Sequence, residues 1–177
     1  RPAAAAAVFT RNRAAAAPVI VAREHVADGR LQALMINSGN ANAATGEKGL
    51  KFARWSCREL GSHLAIEPTL VLPCSTGVIG VDLEKIPFSR AISLAVDGLS
   101  RNGFGAAARA IMTSDASPKW SHRTVPHGDS EVVVAGMAKG AGMIHPNMAT
   151  MLAFVLTDAD LTSAAADRIL RDAVAVS

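Results

Sequence analysis

The apolar residues of this chain come in short runs, each closed by a glycine-rich or polar segment, and the runs carry two different periods. Residues 131–137, four apolar residues and then a glycine, and the short apolar run 151–156, bounded by polar residues, predict strands. Within residues 48–64, by contrast, Leu50, Ala53, Trp55, Leu60 and Leu64 recur at helical spacing. A chain that mixes both periods must lay helix stripes on sheet faces. Further strands are expected over residues 5–10, 18–22, 31–36 and 70–72. Helices are expected over 87–99, over 105–112, and after a cap at Thr162 or Ser163, with a stripe of Ala164, Ile169, Leu170 and Val174. Thr45 is the expected cap of the helix over 48–64. This order shows no regular βαβ alternation, so an α+β fold is favoured over a doubly wound sheet.

The 177 residues are 50% hydrophobic and 19% charged, enough for one domain with a real core. Aromatics are only 4% and tyrosine is absent, so the core must rely on small aliphatic packing with close backbones. The net charge of +3 comes mostly from Arg1, Arg11, Arg13 and Arg23, scattered among apolar residues. No dense Lys/Arg block marks a nucleic-acid footprint, and no apolar run is long enough to cross a bilayer, so neither nucleic acid nor membrane is an expected partner. A site for small anionic substrates stays open. Cys57 and Cys74 lack any Cys-x-x-Cys or zinc spacing and read as buried thiols of a reducing cytoplasm, with no metal expected. Cys74 adjoins a turn, but no basic partner lies nearby to activate it. The chain begins inside an expected strand and stops inside an expected helix, so both ends read as cut short.

Three segments carry hydroxyls, charges and glycines together. Ser75-Thr76-Gly77 reads as a tight turn at a strand end, where exposed N–H groups suit a developing oxyanion; alone it is an ordinary turn. Ile111-Met112-Thr113-Ser114-Asp115 places two hydroxyls and a carboxylate after a helix, and alone it is a capped turn. Lys139-Gly140-Ala141-Gly142-Met143-Ile144-His145-Pro146-Asn147-Met148-Ala149-Thr150-Met151-Leu152 joins a positive charge to a glycine loop and then a strand. His145, restrained by Pro146, reads as a loop residue rather than a base. A β-branched Thr150 at a strand mouth is unremarkable by itself.

Taken in order, and with Asn37-Ser38-Gly39-Asn40-Ala41-Asn42-Ala43 and Ser75-Thr76-Gly77-Val78-Ile79-Gly80, these blocks closely resemble the bifunctional glutamate N-acetyltransferase (ornithine acetyltransferase) family of arginine biosynthesis. The match runs through nearly the whole chain, and the block from Lys139 to Leu152 is its most specific part. The resemblance implies a self-processing, N-terminal-nucleophile-like layered α+β fold of the DmpA and ornithine acetyltransferase kind. It implies cleavage between Ala149 and Thr150, with residues 1–149 belonging to an α chain and residues 150–177 beginning a β chain in the same domain. Thr150 then serves as nucleophile and carries the acetyl group, Thr76 and Gly77 form the oxyanion hole, and Thr113, Lys139 and Thr150 contact substrate. The implied reaction converts N2-acetylornithine and glutamate into ornithine and N-acetylglutamate. Many family members also acetylate glutamate from acetyl-CoA, which would then be a substrate rather than a resident cofactor. An α2β2 heterotetramer in the cytoplasm is the implied assembly. An N-terminal strand and most of the β chain, with further substrate contacts, are expected to lie outside this chain. Competing readings are a self-processing amidase, an acyltransferase of secondary metabolism, and a scaffold that folds without cleavage.

Overall fold

The computed structural model describes residues 1–128, 130–141 and 151–177. Its elements run β1 (Ala3–Ala4), α1 (Ala17–His25), β2 (Arg30–Leu31), β3 (Ala33–Asn40), α2 (Gly46–Leu64), a 3-10 turn (Pro68–Leu70) and β4 (Val71–Val78). They continue with α3 (Lys85–Asp97), α4 (Phe104–Ala110), β5 (Lys119–His127), β6 (Ser130–Lys139), β7 (Leu152–Thr157) and α5 (Ser163–Ala175). Helices and mainly antiparallel sheets make this an α+β fold, with one parallel unit that the sequence did not announce. β3 and β4 pair in parallel, with α2 as the crossover. β1 and β2 form a short antiparallel pair, and β5-β6-β7 an antiparallel sheet.

The β3–β4 pair is covered on both faces, and its period of two sorts the residues. Ala33, Met35 and Val71 point to one side, where they meet Ala17 and Val21 of α1, Ala53, Cys57 and Leu60 of α2, and Ile92 of α3. Val21, Val71 and Cys57 are fully buried there, and full burial of a valine side chain contributes about 1.5–3 kcal/mol. Leu34, Ile36 and Cys74 point to the other side, against Ala108 of α4, Ile111, Met137 of β6 and Phe154 of β7. Met137 and Phe154 are cross-strand partners. Ser38 and Thr76 are register partners two residues further along this second face, so alternation alone aims both at α4 and β6.

Several elements depart from expectation. Residues 18–22 are not a strand but the start of α1, with Pro18 in the first turn, where a missing N–H costs nothing. Its buried residues Ala17, Pro18, Val21 and Ala22 form a helical stripe. Residues 5–10 form no strand: Ala5 N–H reaches the Gly29 carbonyl at 2.8 Å, but the ladder is confined to β1. The strand expected over 31–36 starts as β2, restarts as β3 and runs on through Asn40. The strand expected over 70–72 reaches Val78 as β4. β5 was not expected at all. Its side chains are exposed and mostly polar, and it is an edge strand, which also explains how Pro126 is tolerated. Trp120 of β5 packs edge-on to Phe104 with centroids 6.2 Å apart. Thr45 precedes α2 but does not cap it; its hydroxyl donates to Asn42 Oδ1 at 2.8 Å instead. Thr162 does cap α5, accepting from the Ala165 N–H at 3.2 Å. The expected α5 stripe is not buried, and Ile169 stays half exposed.

Candidate functional site

The site gathers around one lysine. Met137 and Lys139 share the inward face of β6, so the apolar packing that buries Met137 also carries the Lys139 side chain inward, where only 6% of it is exposed. A buried ammonium needs acceptors. It donates to Thr76 Oγ1 at 2.9 Å and to Thr113 Oγ1 at 2.7 Å. Thr76 comes from the parallel β3–β4 unit, Thr113 from the segment after α4, and Lys139 from the antiparallel sheet. Three residues that are far apart in sequence thus meet at one nitrogen.

Behind Lys139 lies Asp115, whose side chain is 1% exposed and whose Oδ2 is 4.0 Å from the Lys139 Nζ. Its Oδ1 accepts from Lys119 Nζ at 2.7 Å and from the Gly140 N–H at 2.9 Å, and Oδ2 accepts from the Thr113 N–H at 3.3 Å. The hydrogen bond from Lys119 is the largest influence holding this carboxyl well below its ordinary pKa, followed by the Gly140 N–H; burial opposes them and loses. Neither Asp115 nor Lys119 was singled out from the sequence as a site residue. The one local signal was a carboxylate two residues after Thr113, the pattern of a side chain that bonds back to its own turn.

Gly77 lies in β4, not in a tight turn. Two neighbouring N–H groups of a regular strand point to opposite edges, so regular pairing could not present Thr76 and Gly77 to one oxygen. The regularity breaks here: Gly77 has φ +133°, and Asn40 opposes both Val78 and Thr76. A Cβ on Gly77 would lie 2.2 Å from the Gly39 carbonyl carbon, so the two backbones approach as only glycine allows. The facing asparagines hold this approach. Asn37 Nδ2 donates to the Asn40 carbonyl at 2.9 Å and Oδ1 accepts from Ser75 Oγ at 2.6 Å. Asn40 Nδ2 donates to the Val81 carbonyl at 3.0 Å, and the buried Asn42 Nδ2 to the Gly49 carbonyl at 3.0 Å. Residues 37–42 are therefore the end of β3 and a pinned connection. On the other face, Ser38 Oγ donates to the Ala110 carbonyl at 2.7 Å and fastens α4 to the strand end.

Ala149, Thr150 and His145 lie outside the described residues. β6 leads towards that segment and β7 follows it, and the two pair antiparallel from Lys139↔Leu152 to Val134↔Thr157. Cys57 and Cys74 are free thiols, and burial pushes each up to about 12, which removes the thiolate that nucleophilic chemistry at Cys74 needs. Among the described residues no cluster of His, Cys, Asp and Glu could hold a metal, and no helix is long and apolar enough to cross a membrane.

The α+β fold that brings this buried lysine and two threonines together is similar overall to those of solved ornithine acetyltransferase-type proteins. The arginine biosynthesis bifunctional protein ArgJ of Bacillus halodurans superposes with a TM-score of 0.75 at 39% identity, over 84% of this chain and 78% of that one. The ornithine acetyltransferase of Mycobacterium tuberculosis, solved in complex with ornithine, gives 0.70 at 34% identity, over 81% and 77%. The ArgJ family model matches residues 1–177, and the chain belongs to the ArgJ family. The bifunctional ArgJ protein of Methylococcus capsulatus is 50% identical over 171 residues, which are 97% of this chain and 42% of that protein. That of Symbiobacterium thermophilum is 48% identical over 97% of this chain and 43% of its own length. The chain thus spans less than half the length of these curated relatives.

Proposed function

We propose that this chain carries the nucleophile and oxyanion elements of a self-cleaving acetyltransferase of arginine biosynthesis. In this reading the enzyme moves the acetyl group of N2-acetylornithine to glutamate through an acetyl-Thr150 intermediate. The observation that carries the reading is the Lys139 ammonium held between the Thr76 and Thr113 hydroxyls at 2.9 and 2.7 Å. Family membership and a structural relative solved with ornithine support it.

Before cleavage the Thr150 nitrogen is an amide and cannot serve as a base. The hydroxyl attacks the Ala149 carbonyl, the C–N bond breaks as the C–O bond forms, and water then opens the ester. The new α-amine, with an ordinary pKa of about 7.7–8.0, can take the hydroxyl proton. Thr150 Oγ next attacks the acetyl carbonyl of acetylornithine, and ornithine leaves with the proton on its α-amine. The α-amine of glutamate then attacks the acetyl-Thr150 ester. Thr76 and Gly77 are assigned to the oxyanion in both directions, a role worth about 2.7–4 kcal/mol of barrier per donor. Both amino-acid substrates carry a carboxylate, which the Lys139 charge and the Thr113 hydroxyl suit. In the same reading residues 150–177 open a β chain that stays in the domain through β7, the assembled enzyme is an α2β2 tetramer acting in the cytoplasm, and acetyl-CoA is a second acetyl donor.

Mass spectrometry of the purified protein tests this. A fragment beginning at Thr150 is expected, together with one acetyl mass on it after N2-acetylornithine is added. Glutamate should discharge that acetyl group faster than water; discharge by water alone would point to an amidase instead. Thr150→Ala should leave a single chain, and a wild-type protein that also stays whole would refute the self-processing step.

A further inference from the structure

The mechanism above gives Asp115 no part, yet it is the most enclosed charge at the site. A carboxylate buried to this degree, taking three hydrogen bonds, one of them from a cation, and facing a second cation, is more than a turn cap. Its partners come from the segment after α4, from β5 and from the end of β6. Thr113 supplies a hydroxyl to Lys139 and its own N–H to Asp115. Gly140 is the residue directly after Lys139, one residue before the last described residue of the segment leading to Ala149, and its N–H goes to Asp115 at 2.9 Å. Lys119 opens β5, which is paired with β6 so that Lys119 faces Ala138, next to Lys139.

We infer that Asp115 is the positioning residue of the site: one carboxylate fixes the Thr113 backbone, the exit of the chain from β6 at Gly140 and, by its charge, the Lys139 ammonium. Lys119 has a distinct part. By taking Oδ1 at 2.7 Å it balances Asp115, while Lys139 stands at 4.0 Å from Oδ2 and keeps its hydrogen bonds for the two threonines. Two ammonium groups share one carboxylate, so the cluster keeps one net positive charge for an incoming anion. This role rests on the acetyltransferase reading only for its consequence in catalysis; the positioning itself stands on the contacts.

The test is Asp115→Asn, nearly the same shape, with Asp115→Ala beside it. An amide has one acceptor oxygen where a carboxylate has two, so either the Thr113 or the Gly140 N–H must face an NH2 group. Hydrogen exchange at one of these two amides should rise by about tenfold or more in Asp115→Asn, as expected for losing a bond to a charged acceptor. Both amides should rise in Asp115→Ala. Cleavage at Ala149–Thr150 should slow in Asp115→Asn while far-UV circular dichroism stays native, a split that a merely structural residue would not produce. Wild-type exchange at both amides in Asp115→Asn overturns the inference, as does a wild-type cleavage rate once an amide has opened. If the wild-type chain does not cleave, the processing reading falls, and the exchange data alone decide for or against the positioning role.

Discussion

Alanine at Gly77 tests how the β3–β4 pair is built. Gly77 has φ +133°, and an added Cβ would lie 2.2 Å from Gly39 C and 2.5 Å from both Gly39 O and Asn40 N. Ordinary van der Waals contact begins at 3.4 Å, so the strand ends must part by about 1.2 Å, the difference of the two distances. All three obstacles are backbone, so no side chain can swing aside. Gly39 supplies the control. It also has positive φ, +95°, but nothing lies within 4 Å of its would-be Cβ. Gly39→Ala therefore meets only backbone strain, about 1–3 kcal/mol. Gly77→Ala meets the same strain and also opens about two ladder hydrogen bonds at about 1 kcal/mol each, for a total of about 3–5 kcal/mol. Urea unfolding of the two purified variants, with m unchanged, reads the difference as a shift in midpoint. Equal losses in the two variants would mean that β3 and β4 do not approach as described, and the account of the site's backbone would fail with it.

Three other outcomes follow from the charges and thiols. Asp115 is held below its ordinary value of 3.8, so the unfolded chain binds the extra proton first; its stabilisation is complete above pH 3.8 and is lost as pH falls through the depressed native value. Acid titration of wild type against Asp115→Asn should show the gap in stability closing below that pH, and a gap independent of pH would contradict the ion cluster. Lys139→Met removes two charge-assisted hydrogen bonds but also a buried charge, terms of similar size and opposite sign; stability should change by less than about 2 kcal/mol, while KM for acetylornithine rises more than processing slows. Equal damage to both, or a large loss of stability, would assign Lys139 to folding. Burial pushes the Cys57 and Cys74 thiols up to about 12, so alkylation by iodoacetamide at pH 8 should run about a thousandfold slower in the native chain than in urea; fast native labelling at either would show an accessible thiolate.

The strong periods were legible and the weak ones were not. Residues 48–64 and 131–137 announced a helix and a strand because their apolar spacing admits one solution each. The Pro-Val-Ile-Val-Ala run at residues 18–22 misled because β-branched residues favour strands only weakly, and the burial of Ala17, Pro18, Val21 and Ala22 outweighs that preference. β5 left no signal, since an exposed edge strand needs no apolar face; it is held by its ladder to β6 and by Trp120 against Phe104. Ser75-Thr76-Gly77 looked like a turn by composition. What keeps it in a strand is the parallel partner, and parallel pairing across a helix cannot be seen in a local window.

The site was legible where its residues belong to recognisable blocks and invisible where it depends on contact between them. Thr76, Thr113 and Lys139 stood out one block at a time, but nothing in the blocks says that one nitrogen binds both hydroxyls. That meeting is set by packing. Leu34, Ile36 and Cys74 on the β3–β4 face, and Met137 and Phe154 on β6 and β7, form one apolar cluster with α4; Thr76 and Lys139 lie two residues beyond Cys74 and Met137 on those same faces. The apolar cluster therefore fixes the distance between the two sheets, and the polar cluster at its rim inherits it. Enlarging Cys74 to Leu should push Thr76 from Lys139 although neither residue is altered, and overpacking of this kind costs about 1–3 kcal/mol. If Cys74→Leu lowers stability by that amount and leaves the exchange of the Gly140 amide and the rate of processing untouched, then the polar cluster holds itself together, and the packing does not set it.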